Sequence, residues 1–123
     1  AMGVLHHARY MHFFEDARIE ALRERGCRYR DLEATGVFFV VACLDCRYRR
    51  AIRYDDEVTV RTTVTRSTRT RIDHHYDMYV DGQLCAEANT TLACVGTNGQ
   101  PIVMPDHIWS AHQDARPRRR DRV

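Results

Sequence analysis

Residues 10–26 read YMHFFEDARIEALRERG, and the spacing of their apolar side chains decides what the rest of the chain must supply. Tyr10, Phe13, Phe14, Ala17 and Ala21 recur at intervals of three and four, the period of one face of an α-helix. His12, Glu15, Asp16, Glu20, Arg23 and Glu24 fall on the other side, which therefore meets solvent or a partner. Gly26 stands where a helix stop is needed, just past the last turn. No other stretch of the chain supports a long helix. A helix with one apolar stripe must bury it against a second layer.

The downstream sequence supplies that layer as strands. Residues 37–42 are a continuous apolar, β-branched and aromatic run, which predicts a buried strand continuing toward Tyr48. Val58, Val60, Thr62 and Val64 then alternate with Thr59, Arg61, Thr63 and Thr65. Ile72, His74, Tyr76, Met78 and Val80 alternate with Arg71, Asp73, His75, Asp77 and Tyr79. This period of two marks half-buried strands. Asp81-Gly82 is a hairpin turn signal, and Leu84, Ala86, Ala88, Thr90, Leu92 and Cys94 form one face of the strand after it. Asn98-Gly99 closes that strand, and Pro101 and Pro105 mark the way out. The outline is one early helix and four largely antiparallel strands, an α+β fold with the helix across one sheet face.

At 123 residues the chain is one domain, which we place at residues 1–112. The arginine-rich end, residues 113–123, is expected to be a disordered tail, and its basic run reads as a solvated tail rather than a nucleic-acid site. All 19 basic residues are arginine, but the net charge of +2 is too small to imply nucleic acid as a partner of the whole domain. No apolar run approaches the roughly 20 residues of a membrane helix, and no signal peptide is visible. Five cysteines without framework spacing fit a reducing cytoplasm. Cys43 and Cys46 form a lone C-x-x-C within a strand, where positions three apart face opposite sides, so no metal site is expected there. The adjacent His74 and His75 must likewise point apart and cannot share one metal ion.

Several segments resemble one family. Gly3, Val4, His7, Tyr10, Phe14, Glu15, Ala17 and Arg18 fill the pattern D-x-x-G-V-x-x-H-x-x-Y-x-x-x-F/Y-E-x-A-R. That pattern opens the hotdog-fold acyl-CoA thioesterases of the 4-hydroxybenzoyl-CoA thioesterase type. Residues 48–56, YRRAIRYDD, are similar to the family's Y-x-x-P-A-R-x-x-D segment, with Ala51 where proline is usual, and residues 102–105 are similar to its exit segment. The resemblance covers nearly the whole chain. It implies a hotdog fold, a long helix wrapped by an antiparallel sheet, with a further strand upstream of Ala1. The pattern's acidic residue, a base or nucleophile in the family, would stand immediately before Ala1, and we expect it there.

The implied activity is hydrolysis of an acyl-CoA or acyl carrier protein thioester. Coenzyme A is then part of the substrate, and neither cofactor nor metal is called for. The alternative is a non-catalytic hotdog module that binds the same ligands. Hydrolysis puts negative charge on the carbonyl oxygen, and a helix start offers backbone N–H groups and a positive dipole end. We therefore expect the oxyanion and substrate site at Gly3, Val4, His7, Ala8 and Tyr10, with the N–H groups near His7 and Ala8 as donors. His7 is the side-chain candidate: it either orients substrate and exchanges protons or merely caps the helix. His6 and His12 read as bystanders. Glu15 is either a base that holds water or a helix-surface glutamate. Arg69 and Arg71 are the candidates for the coenzyme's phosphates, the other reading being a charged sheet edge. Phe13, Phe38 and Phe39 suggest an apolar pocket or ordinary core. The family resemblance further implies a homodimer, often doubled to a homotetramer, with sites shared between subunits.

Overall fold

The apolar stripe forms helix α1 (His7–Glu24) in the computed structural model, which describes residues 7–111 and 118–122, with side chains over 8–110. Gly26 ends α1 at φ +86°, a conformation that a side chain resists. The Gly26 N–H donates to the Arg23 carbonyl at 2.9 Å and the Cys27 N–H to the Leu22 carbonyl at 3.1 Å, satisfying two of the last carbonyls. Leu22 and Cys27, brought together by this turn, are both buried. A short helix, α2 (Tyr29–Ala34), leads into β1 (Phe38–Tyr48). There follow β2 (Glu57–Thr68), β3 (Arg71–Val80), β4 (Gln83–Val95), α3 (Asp106–Ala111) and β5 (Arg118–Arg122).

The sheet has strand order β1-β4-β3-β2-β5, and each neighbouring pair is antiparallel. Asp81 and Gly82, at φ +51° and +75°, make the two-residue turn between β3 and β4, in which Val80 pairs with Gln83. The alternation in β3 puts Ile72, His74, Tyr76 and Met78 on the buried face beneath α1. Ala86, Ala88, Thr90, Leu92 and Cys94 join them from β4, and Val58, Val60 and Thr62 from β2. The start of α1 (Tyr10, Phe13, Phe14, Ala17) packs on Met78, Ala86 and Val60, and its end (Leu22) on Ile72 and Cys94. The helix and fold class expected from the sequence are thus observed.

Two expectations are corrected. Residues 37–42 do not lead into a buried strand: among the described residues β1 is a sheet edge, paired only with β4, and Val40, Val41 and Leu44 are 45%, 51% and 48% exposed. Helix α1 does not extend over this edge, so apolar character there does not report burial. The basic tail is not wholly without structure, because β5 adds to β2 with Glu57 opposite Arg122 and Arg61 opposite Arg118. The backbone ladder of β2 accepts this segment without needing an apolar pattern. Ile72 has no exposed surface. Its replacement by Ala is expected to cost about 2–5 kcal/mol of stability, read as a lower midpoint in denaturant unfolding; a loss well under 1 kcal/mol would contradict this packing.

Candidate active site

The uncovered inner face of β1 and the side of α1 enclose a cleft of about 80 Å³, lined by Met11, Phe14, Glu15, Arg18, Val41, Leu44 and Thr90. A β-bulge between Val41 and Cys43 shapes its wall. Val41 lies opposite Leu92 and Leu44 opposite Thr90, so both turn to the helix side despite being three positions apart. Without the extra residue one of the two would point away. Glu15 is exposed at the cleft. Arg18 crosses from α1 to the sheet, where its Nη1 donates to Tyr76 Oη at 3.2 Å. Tyr76 Oη is in turn 2.9 Å from Thr90 Oγ1.

Burial alone would lower the Arg18 pKa, but the Tyr76 and Tyr29 hydroxyls that it faces outweigh this and hold the guanidinium charged. Burial pushes the Tyr29 phenol up to about 12, although the Arg18 charge pulls the other way. The cleft thus joins an apolar wall to a carboxylate, a fixed positive charge and a hydroxyl. Such a mixture of apolar lining and a few convergent polar groups suits a small acyl group.

His7 opens α1 and Ala8 follows it, so both stand in the first turn, the positive end of the helix dipole. Gly3 and Val4, like His6, lie outside the described residues. Tyr10 is 4% exposed, its ring edge-on to Tyr48 with centroids 4.8 Å apart. It anchors the first turn of α1 from below. His12 is exposed on the helix. Phe13 is core, and Phe38 and Phe39 are partly buried.

Arg69 and Arg71 sit at the other end of the sheet, near the last turns of α1. Arg69 Nη1 donates to Asp106 Oδ1 at 2.8 Å, and its guanidinium lies 4.8 Å from the Trp109 ring centroid. Arg71 grips Asp73 with Nε at 3.0 Å and Nη2 at 3.1 Å. Those hydrogen bonds, against the opposing effect of burial and with help from Thr91, lower the Asp73 pKa. Within one chain, therefore, the two arginines do not meet the cleft.

All five cysteines are free thiols. Burial raises the pKa of Cys27, Cys85 and Cys94, which disfavours the reactive thiolate. Cys43 lies opposite Thr91 and Cys46 opposite the buried Ala88, on different faces of β1. His74 is buried under α1, whereas His75 is on the outer face of the sheet. Sequence reasoning missed Arg18, Thr90, Val41 and Leu44. Arg18 alone carried a signal, as the last residue of the family pattern that opens the chain, though no role was assigned to it there.

Residues 1–111 match the Thioesterase-like superfamily. The chain is 33% identical over 113 residues to the acyl-CoA thioesterase YbgC of Haemophilus influenzae, covering 90% of this chain and 83% of that protein. It resembles the crystal structure of the DHNA-CoA thioesterase of Staphylococcus aureus, with TM-score 0.80, 32% identity, and coverage of 83% and 70% of the two chains. A hypothetical protein of Aquifex aeolicus gives TM-score 0.88 at 28% identity, over 92% and 89%.

Proposed function

The chain belongs to the thioesterase-like superfamily and is a thioesterase, and from that premise we propose that it hydrolyses acyl-CoA thioesters, or their acyl carrier protein counterparts, to free acid and thiol. The observation that carries the reading is the cleft. It sets the carboxylate of Glu15 beside an apolar acyl wall of Met11, Phe14, Val41 and Leu44, on the helix whose first turn begins at His7.

In this mechanism the acyl chain lies along the apolar wall. Its carbonyl oxygen faces the first turn of α1, where the His7 and Ala8 N–H groups and the helix dipole stabilise the tetrahedral oxyanion. An oxyanion donor of this kind is worth about 10²–10³ in rate. Glu15 takes a proton from the attacking water. As the intermediate collapses and the C–S bond breaks, the protonated Glu15 passes that proton to the leaving thiolate, directly or through the His7 imidazole, which also orients the substrate. Gly3 and Val4 shape the approach to the helix, and Tyr10 positions it from below.

A cleft of about 80 Å³ is smaller than the roughly 300–1,000 Å³ of small-molecule sites, so one chain supplies half a site. The other half would come from a second copy. We propose a homodimer formed by antiparallel pairing of β1 with its counterpart, and a homotetramer from two such dimers. Two features support this: an 11-residue edge strand whose outer ladder is paired by no strand among the described residues, and the exposure of Val40, Val41 and Leu44 on both its faces. A two-fold axis through β1 would bring the partner's Arg69/Arg71 end level with the start of α1. It would then lie about three strand spacings, or about 14 Å, beyond the edge. The coenzyme's phosphates can reach these arginines, whose exposed ion pairs are worth only about 0–1 kcal/mol and exchange readily. Charge reversal at Arg69 and Arg71 together is expected to raise KM for acyl-CoA more than it lowers kcat; unchanged KM would remove them from the site.

No described helix is long and apolar enough to cross a membrane. We assign the enzyme to the cytoplasm on the strength of its free thiols. The test is a free-thiol assay across a panel of short, long and aromatic acyl-CoAs on the full chain. Turnover of at least one class is expected. Binding of acyl-CoA with thiol release at background would instead indicate a non-catalytic binding module.

A further inference from the structure

On the outer face of the sheet, away from the cleft, the pairing of β3 with β4 and of β4 with β1 sets His75 beside Asn89 and Asn89 beside Asp45. Asn89 Nδ2 donates to Asp45 Oδ1 at 3.1 Å, which turns Asn89 Oδ1 toward His75 Nδ1, 2.8 Å away. A carboxylate only accepts, so this orientation of the amide is the consistent one. Asn89 Oδ1 also only accepts, so His75 Nδ1 carries the ring proton. In the neutral ring, Nε2 then offers its lone pair to the space where Asp77 Oδ1 stands 3.0 Å away.

A positive charge between them satisfies this contact, either a proton on Nε2 that donates to Asp77 or a metal ion that takes the proton's place. A second carboxylate strengthens the demand. Glu87 lies directly across the strand pair from Asp77, where like charges repel. Ligand atoms of His75, Asp77 and Glu87 all lie within 4.8 Å of one another, on partly buried side chains. Arg49 Nε engages Glu87 Oε2, which leaves the second carboxylate oxygen without that contact.

We infer that His75, Asp77 and Glu87 form a binding site for a first-row divalent metal ion of zinc or cobalt type, with Asn89 and Asp45 as the outer partners that hold the imidazole in its ligating tautomer. One nitrogen and two carboxylate oxygens are the donor set such ions accept. Metal–ligand bonds of about 2.0–2.1 Å put tetrahedral donors about 3.3 Å apart, close to the observed Nε2–Oδ1 separation of 3.0 Å. A ligating histidine that donates its other N–H to an oxygen is the usual support for such a site. The fourth position faces an open depression of about 510 Å³ bordered by Arg47 and Asp45, where water or an anion completes the shell. The metal ties β3 to β4, two strands that carry no disulfide.

Co²⁺ is the probe. Full-length protein stripped with chelator and titrated with Co²⁺ is expected to take up one ion per chain. Visible d–d bands should appear without a thiolate-to-cobalt charge-transfer band, and thermal unfolding should move to higher temperature. His75→Gln and the isosteric Asp77→Asn should abolish the bands, Asn89→Leu should weaken binding about 10–100-fold, and Cys43→Ser should leave it unchanged. Failure to take up Co²⁺ would overturn the proposal. So would bands that survive in His75→Gln, or a thiolate band that disappears in Cys43→Ser.

Discussion

Replacing Glu15 by Gln is expected to lower kcat for acyl-CoA hydrolysis by about 10²–10⁴-fold, the usual contribution of a positioned acid or base, while KM changes little. Glu15 is the carboxylate that lines the cleft, and it is exposed there, where water can reach it. The amide keeps the shape and removes the base, so acyl binding against Met11, Phe14, Val41 and Leu44 persists. Steady-state kinetics with a thiol reagent separate the two constants. A Glu15→Gln enzyme with full kcat would leave proton removal entirely to a group outside the cleft.

The second large effect concerns the edge strand. Val41→Asp together with Leu44→Asp is expected to give a monomer by light scattering and to abolish measurable hydrolysis, with α1 and the sheet still folded by circular dichroism. Both side chains are about half exposed in the single chain, so their replacement removes little from its core. In the proposed dimer the same positions are covered by the partner and wall the acyl cleft, and buried unpaired carboxylates there are costly. A variant that stays dimeric, or a monomer with full activity, would contradict a site completed by pairing through β1.

The parts of this fold legible in the sequence are those set by local periodicity. The stripe Tyr10, Phe13, Phe14, Ala17 and Ala21 fixes α1. The alternation of β3 and the Asp81-Gly82 turn fix the central hairpin. Whether a strand lies in the middle of a sheet or at its edge is a tertiary property. Residues 37–42 carry the same apolar composition either way, and their reading as buried failed for that reason. The pairing of β5 with β2 escaped because a backbone ladder leaves no mark in an arginine run.

The site was half legible. The motif pointed to Glu15, which lines the cleft, and to the start of α1, which is not among the described residues that line it. Arg18, Thr90, Val41 and Leu44 converge through packing and a bulge that no short-range pattern announces. Reading His75 against its sequence neighbour His74 led to the correct statement that the two point apart. It missed Glu87, which reaches the same face only through the register of β4 on β3.

A crystal structure of the full chain with a non-hydrolysable acyl-CoA analogue would put the proposed site to its hardest trial. The acyl group is expected between Met11 and Phe14 on one side and Val41 and Leu44 on the other, with the carbonyl oxygen within hydrogen-bond distance of the first turn of α1. The coenzyme should run toward Arg69 and Arg71 of a second copy. A carbonyl far from that first turn, or an acyl chain outside the cleft, would contradict it.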